Sequence, residues 1–124
     1  MSNRDWSHKV ILIAEDEMIN YLFLKAVFDK TGAEILWARN TQETITMCGA
    51  QKIDVVLIDL QMADSDGRET AKKIKEINPD ISVIAQTAYH GNQDREEAIE
   101  AGCDSYLTKP VKPKNLLATV ERYI

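Results

Sequence analysis

Five short apolar runs punctuate the chain, and the longer stretches between them carry apolar positions at helical spacing. Val55-Val56-Leu57-Ile58 and Val10-Ile11-Leu12-Ile13-Ala14 contain no polar residue. Without polar alternation, such runs read as strands covered on both faces. Ile81-Ser82-Val83-Ile84-Ala85, running out through Gln86 into Thr87, predicts a further strand, as do residues 33–38 and Ser105-Tyr106-Leu107-Thr108. Helices are predicted over about 20–30, 40–47, 68–77, 93–101 and 113–123. Gly32 suits the position after the first helix, and Gly49 can end the second. Asn40, with Glu43 three residues on, has the form of a capping box. Asn78-Pro79-Asp80 breaks the third helix. The first helix carries two apolar stripes. Phe23, Leu24, Val27 and Phe28 suffice to cover a sheet, while Ile19, Leu22 and Ala26 are turned away from them, with Tyr21 between. Because a surface helix needs only one apolar face, the second stripe is covered by this chain or open to a partner.

Strand and helix alternate five times, which implies right-handed βαβ units. The expected fold is α/β, a flavodoxin-like three-layer sandwich with five helices around a five-stranded parallel sheet in the order 2-1-3-4-5. In that order the switch point lies between the first and third strands, where ligands bind at the carboxyl edge. The strand ends there carry polar groups. The first runs into Glu15-Asp16-Glu17, the third into Asp59, the fourth into Thr87 and the fifth into Lys109. Asp59 alone could equally cap the following helix. Three carboxylates converging on one crevice, however, demand protons or a cation. An all-oxygen set suits Mg²⁺, usually completed by a phosphate. Lys109 and Thr87 can face the oxygens of a phosphoryl group, so the five groups together make a minimal phosphoryl-transfer site.

Composition narrows the setting. At 124 residues the chain is one domain, with 44% hydrophobic and 28% charged residues. A net charge of -5 argues against nonspecific nucleic-acid binding. No apolar run approaches a membrane span, and the polar start at Ser2-Asn3-Arg4-Asp5 is no signal peptide. Cys48 and Cys103 lack metal-ligand or CxxC spacing and read as reduced, semi-buried thiols, so a cytoplasmic location without zinc is expected. His8 and His90 have no ligand-spaced neighbours. Residues 1–8 are read as a leader or linker remnant that Trp6 packs against a domain spanning 9–124.

Ile13-Ala14-Glu15-Asp16-Glu17, Val56-Leu57-Ile58-Asp59-Leu60, Asp66-Gly67, Thr87-Ala88 and Tyr106-Leu107-Thr108-Lys109-Pro110 together resemble the response-regulator receiver domain of two-component signalling. The resemblance covers essentially the whole chain. It implies a phosphoacceptor at Asp59 and a Mg²⁺ (or Mn²⁺) site formed by Asp16 directly, Glu15 through water, Asp59, and the backbone carbonyl of Gln61. It further implies that Thr87 and Lys109 contact phosphoryl oxygens, that Thr87 and Tyr106 form a switch, and that Lys109-Pro110 is cis. Gln61 and Tyr89, two residues beyond Asp59 and Thr87, would gate the lifetime of the aspartyl-phosphate. The partner would be a sensor histidine kinase or a histidine-phosphotransfer domain resting on Ile19, Leu22 and Ala26. Output would run through the last two helices and the fifth strand, from a monomer or a phosphorylation-dependent dimer. Asn20 and the Trp6 leader are more similar to receivers of hybrid sensor kinases. Where many receivers have Met-Pro-x-Met-Asp-Gly, this chain has Met62-Ala63-Asp64-Ser65-Asp66-Gly67, which alters the loop and not the chemistry. The resemblance implies a signalling domain, not a turnover enzyme. An aspartyl-phosphate phosphatase would need a general acid where Gln61 stands. A mononucleotide binder would be repelled by Glu15-Asp16-Glu17. A receiver-like interaction module that is never phosphorylated is the remaining alternative.

Overall fold

The computed structural model describes residues 4–62, 66–88 and 92–124, with backbone only for 92–94. Its five strands, β1 (Val10–Ala14), β2 (Glu34–Ala38), β3 (Val55–Asp59), β4 (Ser82–Thr87) and β5 (Ser105–Thr108), alternate with helices. These are α1 (Met18–Phe28), α2 (Thr41–Ala50), α3 (Gly67–Ile77), α4 (Asn92–Glu100) and α5 (Pro113–Glu121). All strand pairs are parallel, and the order is β2-β1-β3-β4-β5, as the alternation predicts.

Because strand side chains alternate in direction, the apolar runs feed two cores. Ile11, Ile13, Val55, Leu57 and Ile84 point to the face covered by α1 and α5, where they meet Tyr21, Leu24, Phe28, Leu116 and Val120. Leu12, Val56, Ile58, Val83 and Ala85 face Cys48 of α2, Ala71 and Ile74 of α3, and Ala98 of α4. Phe28 is fully buried, a side chain whose burial contributes roughly 1.5–3 kcal/mol. Trp6 is also buried and packs on Phe28, with ring centroids 6.2 Å apart. The Trp6 N–H donates to the Thr31 carbonyl at 2.7 Å.

The structure departs from the sequence reading in α1 and α2. α1 starts at Met18, not Asn20, and passes into a 3₁₀ turn at Asp29–Thr31 before Gly32, whose φ of 81° is left-handed. Its buried face is Tyr21, Leu24 and Phe28, at i, i+3 and i+7, whereas Phe23 is 46% exposed. Tyr21, read between the stripes, instead lies flat on Trp37, with centroids 4.3 Å apart and planes 5° from parallel. α2 runs through Gly49 to Ala50, since Gly49 is exposed, keeps helical geometry and lies within the last turn. Asn40 does cap α2, with its Oδ1 accepting the Glu43 N–H at 2.8 Å. The Glu43 carboxylate returns to the Arg39 N–H, one residue before the position a capping box requires.

One glycine sets the edge that carries the acids. A Cβ on Gly67 would lie 2.7 Å from the Leu60 Cα, so only glycine lets the start of α3 close against the end of β3. Asp66 caps α3 by accepting the Arg68 N–H at 2.9 Å. The Arg68 guanidinium pairs with Asp66 and also with Glu97, joining α3 to α4. Burial pushes the Cys48 and Cys103 thiols up to about 11 and about 12, which leaves them inert as nucleophiles. Among the described residues no helix is long and apolar enough to cross a membrane.

Candidate functional site

Parallel register brings the strand ends level. Asp59 pairs with Gln86, and Thr87 with Thr108, immediately before Lys109. The edge is knitted beyond the strands by Leu60 N–H to Gln86 O at 2.9 Å and Lys109 N–H to Thr87 O at 2.7 Å. The bond before Pro110 is cis, as the resemblance implies. Glu15, Asp16, Asp59, Thr87 and Lys109, read from four separate stretches, all stand on this edge.

Asp59 is 3% exposed. Its Oδ2 accepts from the Lys109 ammonium at 2.8 Å, and its Oδ1 from the Gln61 backbone N–H at 2.9 Å. A carboxylate so enclosed is tolerable only with a partner of opposite charge and hydrogen bonds to its remaining lone pairs. The Asp59 carboxylate is therefore aimed, with both oxygens engaged.

Glu15 is just as enclosed, with one oxygen unmatched. Oε2 accepts the Glu17 N–H at 3.1 Å, whereas Oε1 has no hydrogen-bond partner among the described residues. Burial pushes its carboxyl up to about 7; the Glu17 N–H opposes the shift and the Asp59 charge adds to it. The three carboxylates converge: one oxygen from each of Glu15, Asp16 and Asp59 lies within 4.8 Å of the others. An orphaned buried oxygen, together with hard donors and excess negative charge, fits a small divalent cation.

The raised Glu15 value has a consequence for the metal-free protein. Because the folded state holds this proton more tightly than the unfolded chain, stability falls as pH rises from about 4.5 to about 7, then levels off. The full shift corresponds to roughly 3 kcal/mol. Glu15→Gln, measured by urea unfolding in EDTA, is expected to lose this slope and to exceed the parent in stability above pH 7. Parallel parent and variant curves across that window would contradict the assignment.

Two contacts at the site have no sequence signature. The Trp37 indole N–H donates to the Glu15 backbone carbonyl at 2.7 Å, while the ring is packed between Tyr21 and the Arg39 guanidinium, 4.5 Å from its centroid. The bond joins residues 22 apart on neighbouring strands, beyond the reach of any local pattern. The Gln61 side chain crosses from the end of β3 to the end of β4, where its Nε2 donates to Thr87 Oγ1 at 2.7 Å and its Oε1 accepts the Ala88 N–H at 2.9 Å. Tyr106 is half-buried on the core face that holds Ala98. Ile19, Leu22 and Ala26 are exposed on α1, Ile19 by 81% and Leu22 by 52%. Tyr89 lies outside the described residues.

Comparisons with known proteins agree with this geometry. The family model for the response regulator receiver domain matches residues 11–121. The ZraR transcriptional regulatory protein of Escherichia coli K12 is 35% identical over 90% of this chain, which spans about a quarter of the length of ZraR. The polar-differentiation response regulator DivK of Brucella anthropi is 28% identical, with 94% of this chain and 96% of DivK covered. Among solved structures, the receiver domain of sensor histidine kinase PA1611 from Pseudomonas aeruginosa PAO1 superposes with a TM-score of 0.83 at 26% identity. That match covers 93% of this chain and 96% of the other, which has a magnesium ion coordinated in its active-site cleft. A family match from β1 to the end of α5, on a sheet whose carboxyl edge gathers three acids and a lysine, leads to one conclusion: this chain belongs to the response regulator receiver domain family.

Proposed function

We propose that Asp59 accepts a phosphoryl group from a phosphohistidine donor, a sensor histidine kinase or a histidine-phosphotransfer domain. The observation that carries this reading is the enclosed Asp59 carboxylate with the Lys109 ammonium 2.8 Å away. An Asp59 oxygen attacks phosphorus as the P–N bond to the donor breaks, and the imidazole leaves with its electron pair. Lys109 and the Thr87 hydroxyl meet the phosphoryl oxygens, so charge developing there falls on a fixed cation and a donor. Asp16, Asp59 and the Gln61 carbonyl would hold Mg²⁺ or Mn²⁺ directly, with Glu15 acting through water. A bound divalent cation supplies neutralisation of the acids and of the phosphoryl oxygens.

The domain acts as a signalling module, with residues 9–124 as the receiver and 1–8 as a leader. Phosphorylation draws Thr87 toward the new oxygens, and Tyr106 turns into the space released, biasing α4, β5 and α5 toward an output state. The lifetime of the phosphorylated form is gated by Gln61 and Tyr89. Kinship with the receiver of a sensor histidine kinase supports placing this domain within a hybrid kinase.

The test is labelling with acetyl phosphate, read by intact-protein mass spectrometry. One phosphoryl group is expected in the presence of Mg²⁺ and none in EDTA. Equal labelling under both conditions would defeat the reading, as would no labelling with Mg²⁺.

A further inference from the structure

Gln61 is solvent-exposed, yet the tip of its side chain does not point freely into water. Its carboxamide makes two short hydrogen bonds to adjacent groups at the end of β4. The orientation of the amide is chemically determined. The Ala88 N–H can only donate, so the amide oxygen must face it, and the NH₂ group then faces Thr87 Oγ1. Meanwhile the backbone N–H of the same residue holds Asp59 Oδ1. One glutamine thus grips the acceptor carboxylate with its main chain and the neighbouring strand end with its side chain.

We propose that the Gln61 carboxamide is a built-in occupant of the phosphoryl subsite, holding Thr87 and Ala88 in the unmodified protein and displaced when Asp59 is phosphorylated. The inference rests on the phosphoacceptor reading above. A phosphoryl group on Asp59 presents only acceptor oxygens. To bind one, the Thr87 hydroxyl donates its own proton, and it can go on accepting from the amide meanwhile, so the competition falls on its neighbour. The Ala88 N–H has one proton, for which the amide oxygen and a phosphoryl oxygen are rivals. Phosphorylation and the Gln61 bond to Ala88 therefore exclude each other, and the bridge stabilises the resting arrangement of Thr87 and Ala88. Its release couples the chemistry at the end of β3 to the end of β4. This role is distinct from lifetime gating, since it operates before any phosphoryl group arrives and acts through hydrogen bonds, not bulk.

Two variants separate hydrogen bonding from volume. Gln61→Met keeps the length and most of the bulk but neither hydrogen bond, and Gln61→Ala removes both. Each leaves the Gln61 backbone carbonyl and N–H in place. In the unmodified protein, amide hydrogen exchange at Ala88 is expected to quicken by about tenfold in both variants, the scale set by one hydrogen bond. Initial labelling by acetyl phosphate with Mg²⁺ is expected to rise several-fold in both, as the rival for the subsite is gone. Unchanged Ala88 exchange in Gln61→Met would overturn the bridge. Faster labelling in Gln61→Ala alone would overturn it too, since bulk would then be the cause. If neither parent nor variants take label, the phosphoacceptor reading fails and competition with it, while Ala88 exchange still reports whether the bridge exists.

Discussion

Asp59→Ala takes up no phosphoryl group, from acetyl phosphate or from a phosphohistidine protein, and its mass stays at the unmodified value under conditions that label the parent fully. The expected effect is complete because the other acids of the crevice are differently placed. Glu15 is buried with one oxygen bonded to the Glu17 N–H, and Asp16 is exposed to water, whereas Asp59 is enclosed with the Lys109 ammonium at 2.8 Å. Among the described residues, only Asp59 combines an enclosed carboxylate with an ammonium aimed at it. The substitution leaves the Lys109 ammonium without its carboxylate partner, a cost limited by its partial exposure to solvent. It also removes one of three crowded negative charges, so the fold is expected to survive, which circular dichroism would verify. A single label persisting in Asp59→Ala would place the acceptor elsewhere.

Leu22→Glu is expected to separate two donors. Transfer from a cognate phosphohistidine protein should fall by more than about tenfold, the usual signature of a charge placed in an apolar contact, while labelling by acetyl phosphate stays near the parent rate. Met18, Ile19, Leu22 and Phe23 expose 59%, 81%, 52% and 46% of their surfaces on the first two turns of α1. These turns follow directly on Glu15 and Asp16, so a helix resting there lies beside the crevice. A small phosphodonor needs the crevice alone, whereas a protein donor needs the surface around it. Leu22 is already half exposed, so the new charge meets water and not the core. Equal losses with both donors would indicate damage to the site or fold. Unchanged transfer with both would remove Leu22 from the docking surface.

Apolar runs without polar alternation were enough to locate β1 and β3, which are covered on both faces, while β2, β4 and β5 carry polar residues beside shorter apolar runs. Sequence order then put Glu15, Asp59, Thr87 and Lys109 on one edge, because parallel strands share a carboxyl end. Legibility stopped where three-dimensional neighbours compete. α1 offers apolar residues on more than one side, and spacing alone favoured Phe23 over Tyr21 for the sheet. The flat face of Trp37 on β2 decided otherwise, accepting the Tyr21 ring and leaving Phe23 in solvent. Gly49 resembles a terminator, but within a last turn that nothing crowds its missing side chain is a modest cost. The Gln61 bridge and the Trp37 bond to Glu15 escaped for a different reason. Each is a single polar contact between strand ends, and neither leaves a periodicity or motif.

The Trp37 contact also makes the site optically visible. Of the two tryptophans in the chain, Trp6 lies in the α1 core against Phe28, whereas Trp37 is bonded to the backbone of Glu15 and stacked between Tyr21 and Arg39. Indole emission depends on what its N–H touches and on nearby charge. A change in the charge or pose of the acidic loop therefore reaches one of the chain's two intrinsic fluorophores directly, and the other stands apart as an internal reference.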